Sequence, residues 1–130
     1  MKKKKLLKIM SVVRRLPPLP SIRDILRLYN LKARKQLSQN FLLDPKCLHR
    51  LARSAGRLEN GFVVEVGPGP GGITRALIAN GAREVHVIEK DPRFLPSLQL
   101  LQEASGNVLH INMGDCLRYN MSREKHDNYY

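Results

Sequence analysis

The apolar positions change period along the chain. Ile22, Ile25, Leu26 and Tyr29 recur at helical spacing. Ser21-x-x-Asp24 precedes them as a capping-box-like start, and Asn30 follows as an end. Leu48, Leu51, Ala52 and Ala55 form a second apolar helical face, entered through Asp44-Pro45 and closed by Gly56. Asp is a good cap, Pro suits the first helical position, and Gly suits the exit. Beyond Gly56 the pattern becomes strand, glycine-rich turn, helix, and repeats. Phe62–Val66 predicts a strand, Ile73–Ala79 a helix ended by Asn80-Gly81, and Glu84–Glu89 a second strand. Pro92–Glu103 predicts a helix with Leu95, Leu98 and Leu101 inward, and Val108–Met113 a third strand. Strands alternating with helices of this length predict parallel βαβ units, an α/β fold of Rossmann type. Leu16-Pro17-Pro18-Leu19-Pro20 predicts a stiff, extended connector. Ser122–Tyr130 carries no element signal.

Composition changes this picture mainly through charge. The chain has 130 residues, 42% hydrophobic, with a formal net charge of +12. That length fits one domain. Residues 1–35 hold twelve Lys/Arg against the single acid Asp24, a net +11, whereas residues 36–130 hold 11 bases and 10 acids, a net +1. A basic leader is therefore joined to a nearly neutral domain, which divides the chain into a leader with its Pro-rich connector (1–20) and the domain (21–130). The leader, with Lys2–Lys5 and Arg14-Arg15, is basic, free of acids and weakly amphipathic, as an organelle import segment is. A solvated tail is the plain alternative. Arg23, Arg27, Lys32, Arg34 and Lys35 continue the charge past the connector as candidate RNA contacts. No apolar run approaches the length that crosses a bilayer. Cys47 and Cys116 lie far apart, which excludes a disulfide scaffold or zinc ribbon. His49, His86, His110 and His126 show no metal-ligand spacing and are expected as surface or strand residues.

The chemistry gathers in Glu65-Val66-Gly67-Pro68-Gly69-Pro70-Gly71-Gly72, which leaves one strand and opens a helix. Gly67, Gly69 and Gly72 satisfy the dinucleotide-binding spacing, and Glu89 follows Gly67 by 22 residues, where a ribose-binding acid sits. A dinucleotide oxidoreductase must therefore be weighed. Pro68 and Pro70 argue against it, because each removes an N–H that a pyrophosphate would use. A P-loop is excluded because no Gly-Lys-Ser/Thr follows. Glu65, Glu89 and Asp115 all fall at the carboxyl edge of the predicted sheet, where such folds bind ligands. Three acceptors there suit a cationic nucleoside: one acid near an ammonium and sulfonium, one on ribose hydroxyls, one near the adenine amine. That describes S-adenosylmethionine. Asp91, beside Pro92, is expected as a plain helix cap, and Lys90 as a backbone contact to the cofactor.

Lys35-Gln36-Leu37-Ser38-Gln39-Asn40-Phe41-Leu42, together with the glycine loop, Val87-Ile88-Glu89-Lys90-Asp91 and Gly114-Asp115, resembles the ribosomal RNA adenine dimethyltransferase family. Arg15-Leu16-Pro17-Pro18-Leu19-Pro20-Ser21-Ile22-Arg23 is similar to its animal mitochondrial branch. The resemblance covers about residues 15–118. It implies cofactor binding by Asn40, Leu42, Gly67, Glu89, Lys90, Asp115 and Cys116, the last where the family usually has a small apolar residue. It implies dimethylation of two adjacent adenosines in a small-subunit rRNA hairpin, in the mitochondrial matrix, by a monomer. It also leaves room for a non-catalytic module that partners the mitochondrial transcription machinery. The family orients the target amine with an Asn-Leu-Pro-Phe/Tyr motif after a fourth strand, and this sequence contains no such motif. No catalytic residue is therefore assigned. The expectation is the N-terminal part of such an enzyme: three parallel strands with helices, without the later strands and the helical C-terminal domain.

Overall fold

The computed structural model describes residues 16–32, 44–59 and 61–119. Helix α1 (Ile22–Leu28) starts where the sequence places it. The Ser21 hydroxyl oxygen accepts the Asp24 N–H at 3.1 Å, which satisfies one amide that a helix start leaves unpaired. Helix α2 (Pro45–Ser54) is capped in the same way, with Asp44 accepting the Lys46 N–H at 3.0 Å. Leu48 and Ala52 are buried, but Leu51 is 44% exposed and Ala55 is exposed. The apolar face of α2 is thus only half covered. Leu51 sits about 100° around the helix from Ala52, so packing on that line leaves it at the rim.

Strands β1 (Phe62–Val66), β2 (Glu84–Glu89) and β3 (Leu109–Met113) form a parallel sheet in the order β1-β2-β3. The register sets Glu65 opposite Val87, Val85 opposite Leu109, and His86 opposite His110. Helices α3 (Gly72–Ala79) and α4 (Leu95–Ala104) supply the crossovers. The core lies between sheet and helices. Val85, Val87 and Leu109 are fully buried against Ala76, Leu77, Leu98 and Leu101.

The helix expected from Pro92 begins instead as a 3₁₀ turn, Pro92–Phe94, and becomes α-helical at Leu95. Pro96 is the reason. Its nitrogen carries no hydrogen, so it cannot close the α-helical bond to the carbonyl four residues earlier. The Pro-rich segment is docked: Leu16 and Leu19 pack against the core, and the Arg75 guanidinium donates to the Pro20 carbonyl. Among the described residues, no helix is long and apolar enough to cross a membrane.

Candidate cofactor site

The glycine loop leaves β1 at Val66 and turns back on itself. Gly67 has φ +69°, Gly69 +55° and Gly71 +94°, a left-handed region that disfavours a side chain. A Cβ at Gly67 would meet nothing within 4 Å, so that backbone faces open space in which a ligand can approach closely. At Gly71 a Cβ would stand 3.4 Å from a Leu101 methyl and 3.5 Å from a Leu98 methyl, an ordinary contact, so there the positive φ rather than the packing on α4 calls for glycine.

The loop's donors are directed inward. The Gly67 N–H donates to the Ile88 carbonyl, the Gly71 N–H to the Pro68 carbonyl, and the Gly69 N–H to Glu89 Oε2 at 2.9 Å. The two prolines add no N–H. With Gly67, Gly69 and Gly71 engaged, a pyrophosphate finds few donors here, which removes the main support for a dinucleotide.

Glu89 ends β2 with its carboxylate 5% exposed. Oε2 takes the Gly69 N–H, and Oε1 takes the Asp91 N–H at 3.0 Å. Each oxygen therefore spends one lone pair on the backbone and keeps another. A carboxylate fixed by both oxygens at a sheet's carboxyl edge, with two acceptor sites left, fits a vicinal diol such as a ribose. Glu65, at the next strand end, behaves differently. Burial pushes its carboxyl up from the ordinary 4.5 to about 7; the Thr74 hydroxyl, donating to Oε2 at 2.6 Å, works against this, and the Glu89 charge adds to it. Near neutrality Glu65 is therefore poised to release its proton to solvent when a cation approaches.

Asp115 follows β3 and is exposed. Its Oδ1 accepts the Leu117 N–H at 3.0 Å and opens the 3₁₀ turn Cys116–Arg118. It caps a turn and still presents an acceptor at the same edge. Cys116 is partly buried beside it, and Lys90 is exposed next to Glu89. Asn40, Leu42, Arg34 and Lys35 lie outside the described residues. Arg23, Arg27 and Lys32 are exposed.

The sequence reading missed one part of this arrangement. Asp91 does cap the turn, accepting the Arg93 N–H at 3.1 Å, but it is also 3% exposed and clasped by the Arg93 side chain. Arg93 Nε lies 3.1 and 3.0 Å from the two carboxylate oxygens and Nη2 2.7 Å from Oδ2. Arg93 Nη1 then donates to the Lys32 carbonyl at 3.0 Å. This ties the end of the α1 segment to the turn that carries Glu89. An Asp two residues before an Arg, across Pro92, was the available signal. A separate groove of about 660 Å³ runs along α3, lined by Leu16, Ile22, Arg23, Leu48, His49 and Arg75 among others.

Fold and edge together define a Rossmann-like domain whose carboxyl edge carries acids, with the loop's glycine amides already engaged. Residues 30–130 match the family described as Ribosomal RNA adenine dimethylase, and the chain belongs to that family. It is 56% identical over 109 residues to the mitochondrial dimethyladenosine transferase 1 of Xenopus tropicalis, covering 84% of this chain and 32% of that protein. It is 51% identical over 109 residues to the protein of the same name in Homo sapiens, again covering 84% and 32%. The chain thus spans about a third of the length of these relatives. The solved 23S rRNA methyltransferase ErmE is 36% identical, with a TM-score of 0.55 over 62% of this chain and 32% of that one. A dimethyladenosine transferase from Plasmodium falciparum is 25% identical, with a TM-score of 0.53 over 62% and 30%.

Proposed function

We propose that this chain forms the cofactor-holding part of a mitochondrial rRNA adenine dimethyltransferase, with S-adenosylmethionine as methyl donor and a small-subunit rRNA hairpin as substrate. One observation carries the reading: Glu89, buried and fixed through both oxygens by Gly69 and Asp91 N–H groups, stands beside the open face of Gly67. The matrix is the compartment the reading assigns; the names of the relatives say mitochondrial.

When bound, S-adenosylmethionine supplies an electrophilic methyl on a sulfonium. The residues of this chain bind and orient it. Glu89 would accept from the ribose hydroxyls, Asp115 from the adenine amine, and Glu65 would take the cationic end. The exocyclic amine of an adenine is a weak nucleophile because its lone pair is conjugated into the ring, so catalysis is mainly positioning. A loop base splayed out of its hairpin is reachable in a way a stacked one is not.

Calorimetric titration of S-adenosylmethionine into the folded chain tests this. Saturable binding is expected, with Glu89→Ala weakening it by at least about tenfold, since hydrogen bonds to a charged group contribute about 1.5–3 kcal/mol each. Asp115→Ala is expected to weaken it less, because its carboxylate is exposed. A folded chain that ignores S-adenosylmethionine, or binds NADH instead, overturns the reading.

A further inference from the structure

The parallel register does something that sequence spacing did not announce. It sets His86 of β2 opposite His110 of β3, with Glu84 two residues before His86 on the same face of the sheet. That face is opposite to the one bearing Glu89. Five residues along a strand also separate Glu84 from Glu89 by about 16 Å. The cluster is therefore independent of the cofactor site.

Glu84 Oε2 lies 3.1 Å from His86 Nε2 and 3.9 Å from His110 Nε2. One ligand atom from each of the three residues falls within 4.8 Å of the others. The two imidazoles are stacked, centroids 4.3 Å apart and planes 14° from parallel, and Phe62 packs on His86 with ring centroids 4.5 Å apart. The His86 side chain is 8% exposed, Glu84 25% and His110 45%. The set is thus one nearly buried imidazole, one half-buried carboxylate and one exposed imidazole.

We propose that Glu84, His86 and His110 form a zinc-class divalent metal site that clamps β2 to β3. Two imidazoles and a carboxylate are a donor set zinc uses, at about 2.0–2.2 Å per bond, with a water in the fourth position. Imidazole selects zinc-class ions over magnesium or calcium. A single ion in tetrahedral geometry brings its donors to about 3.3 Å from one another, given those bond lengths. The Glu84–His86 pair already meets that spacing, while His110 must close toward Glu84. It must also leave the stack, because one ion cannot lie in the planes of two nearly parallel rings. Its exposed ring has the room to do so, whereas His86 stays in place against Phe62. Metal held by residues of two strands, and by few groups of the unfolded chain, stabilises the fold increasingly as free metal rises above its dissociation constant.

Titration of the full chain with zinc chloride, followed by calorimetry and by the thermal unfolding midpoint, tests the site. One ion per chain and a raised midpoint are expected. His110→Ala, at an exposed position, should weaken zinc binding by at least about tenfold. Glu84→Gln, which keeps the shape and removes the charge, should do likewise. S-adenosylmethionine binding should change in neither variant. No saturable uptake overturns the proposal. So does uptake that both variants leave intact, which would assign the ion to other cysteines or histidines.

Discussion

Glu65 concentrates the chemistry of single residues in this domain. Its carboxyl is pushed up from 4.5 to about 7, first by burial. A carboxyl raised in the folded state binds more protons there than in the unfolded chain, so stability falls as pH rises through that interval. The penalty is absent below about 4.5 and fully present above about 7, and a shift of that size corresponds to about 3 kcal/mol. Glu65→Gln keeps an acceptor for the Thr74 hydroxyl and removes the ionisation. It should raise stability at pH 8 by about 2 kcal/mol in urea unfolding, and it should flatten the pH dependence between 4.5 and 7. A variant no more stable at pH 8 than the parent sinks this account. The same group links to the cofactor. A cation arriving beside Glu65 lowers its pKa, so S-adenosylmethionine binding at pH 7 should release up to about half a proton, the share this carboxyl carries when pH equals a pKa of about 7. Calorimetry in buffers of different ionisation enthalpy reads that proton, and Glu65→Gln should abolish it. The position of Glu65 at a strand end was legible in the sequence. Its altered acidity was not, because that comes first from burial, which only the packed fold sets, with Glu89 on the neighbouring strand adding to it and Thr74 on the following helix working against it.

Among the elements, the turn between β2 and α4 has the largest positioning role. Arg93 holds Asp91 from two sides and reaches the Lys32 carbonyl, while the Asp91 N–H holds Glu89. One arginine thus joins the α1 segment to the turn that fixes Glu89. Removing it leaves a carboxylate, 3% exposed, with its side-chain cation gone. Arg93→Ala should therefore lower the midpoint of chemical unfolding, and it should weaken S-adenosylmethionine binding through Glu89. Arg93→Lys should recover only part of either loss, since an ammonium cannot reproduce the two-sided grip. Equal stability of the alanine variant and the parent would show that the clasp is only a surface pair. Period and capping made the elements readable: α1, α2 and the three strands begin within a residue or so of where their caps and apolar runs place them. What spacing could not show was long-range partnership. Arg93 meets Lys32 across 61 residues, and His86 meets His110 through strand register. Pro96 was visible in the sequence, but its effect on the first turn of α4 depends on where the α-helical bonds start.

At the scale of the whole molecule, charge is distributed differently from the simple division of the chain at residue 35. The sum over residues 36–130 is only +1, yet α2 carries Lys46, Arg50 and Arg53 exposed and contains no acid. The same holds for the exposed Arg23 and Arg27 on α1, with Lys32 following, apart from Asp24. Residues of both helices line the groove along α3, so the two basic faces border one surface. Three of the acids that offset them, Glu65, Glu89 and Asp115, sit instead at the sheet edge, where the proposed cationic cofactor would meet them. A single-stranded anion bound on the basic side releases about 0.7 counterion per neutralised phosphate. Removing three contacts should therefore flatten the log–log salt dependence of hairpin RNA binding by about 2. Arg23→Ala, Arg27→Ala and Lys32→Ala combined should show that change, and Lys46→Ala, Arg50→Ala and Arg53→Ala combined should show one of similar size. Both sets are exposed, so folding should be unaffected, and S-adenosylmethionine affinity should stay as in the parent. Fluorescence anisotropy with a labelled hairpin, at several salt concentrations, measures the slope. An unchanged slope in the first set would take α1 out of the RNA surface, and an unchanged slope in the second would confine that surface to the side of the groove bearing Arg23.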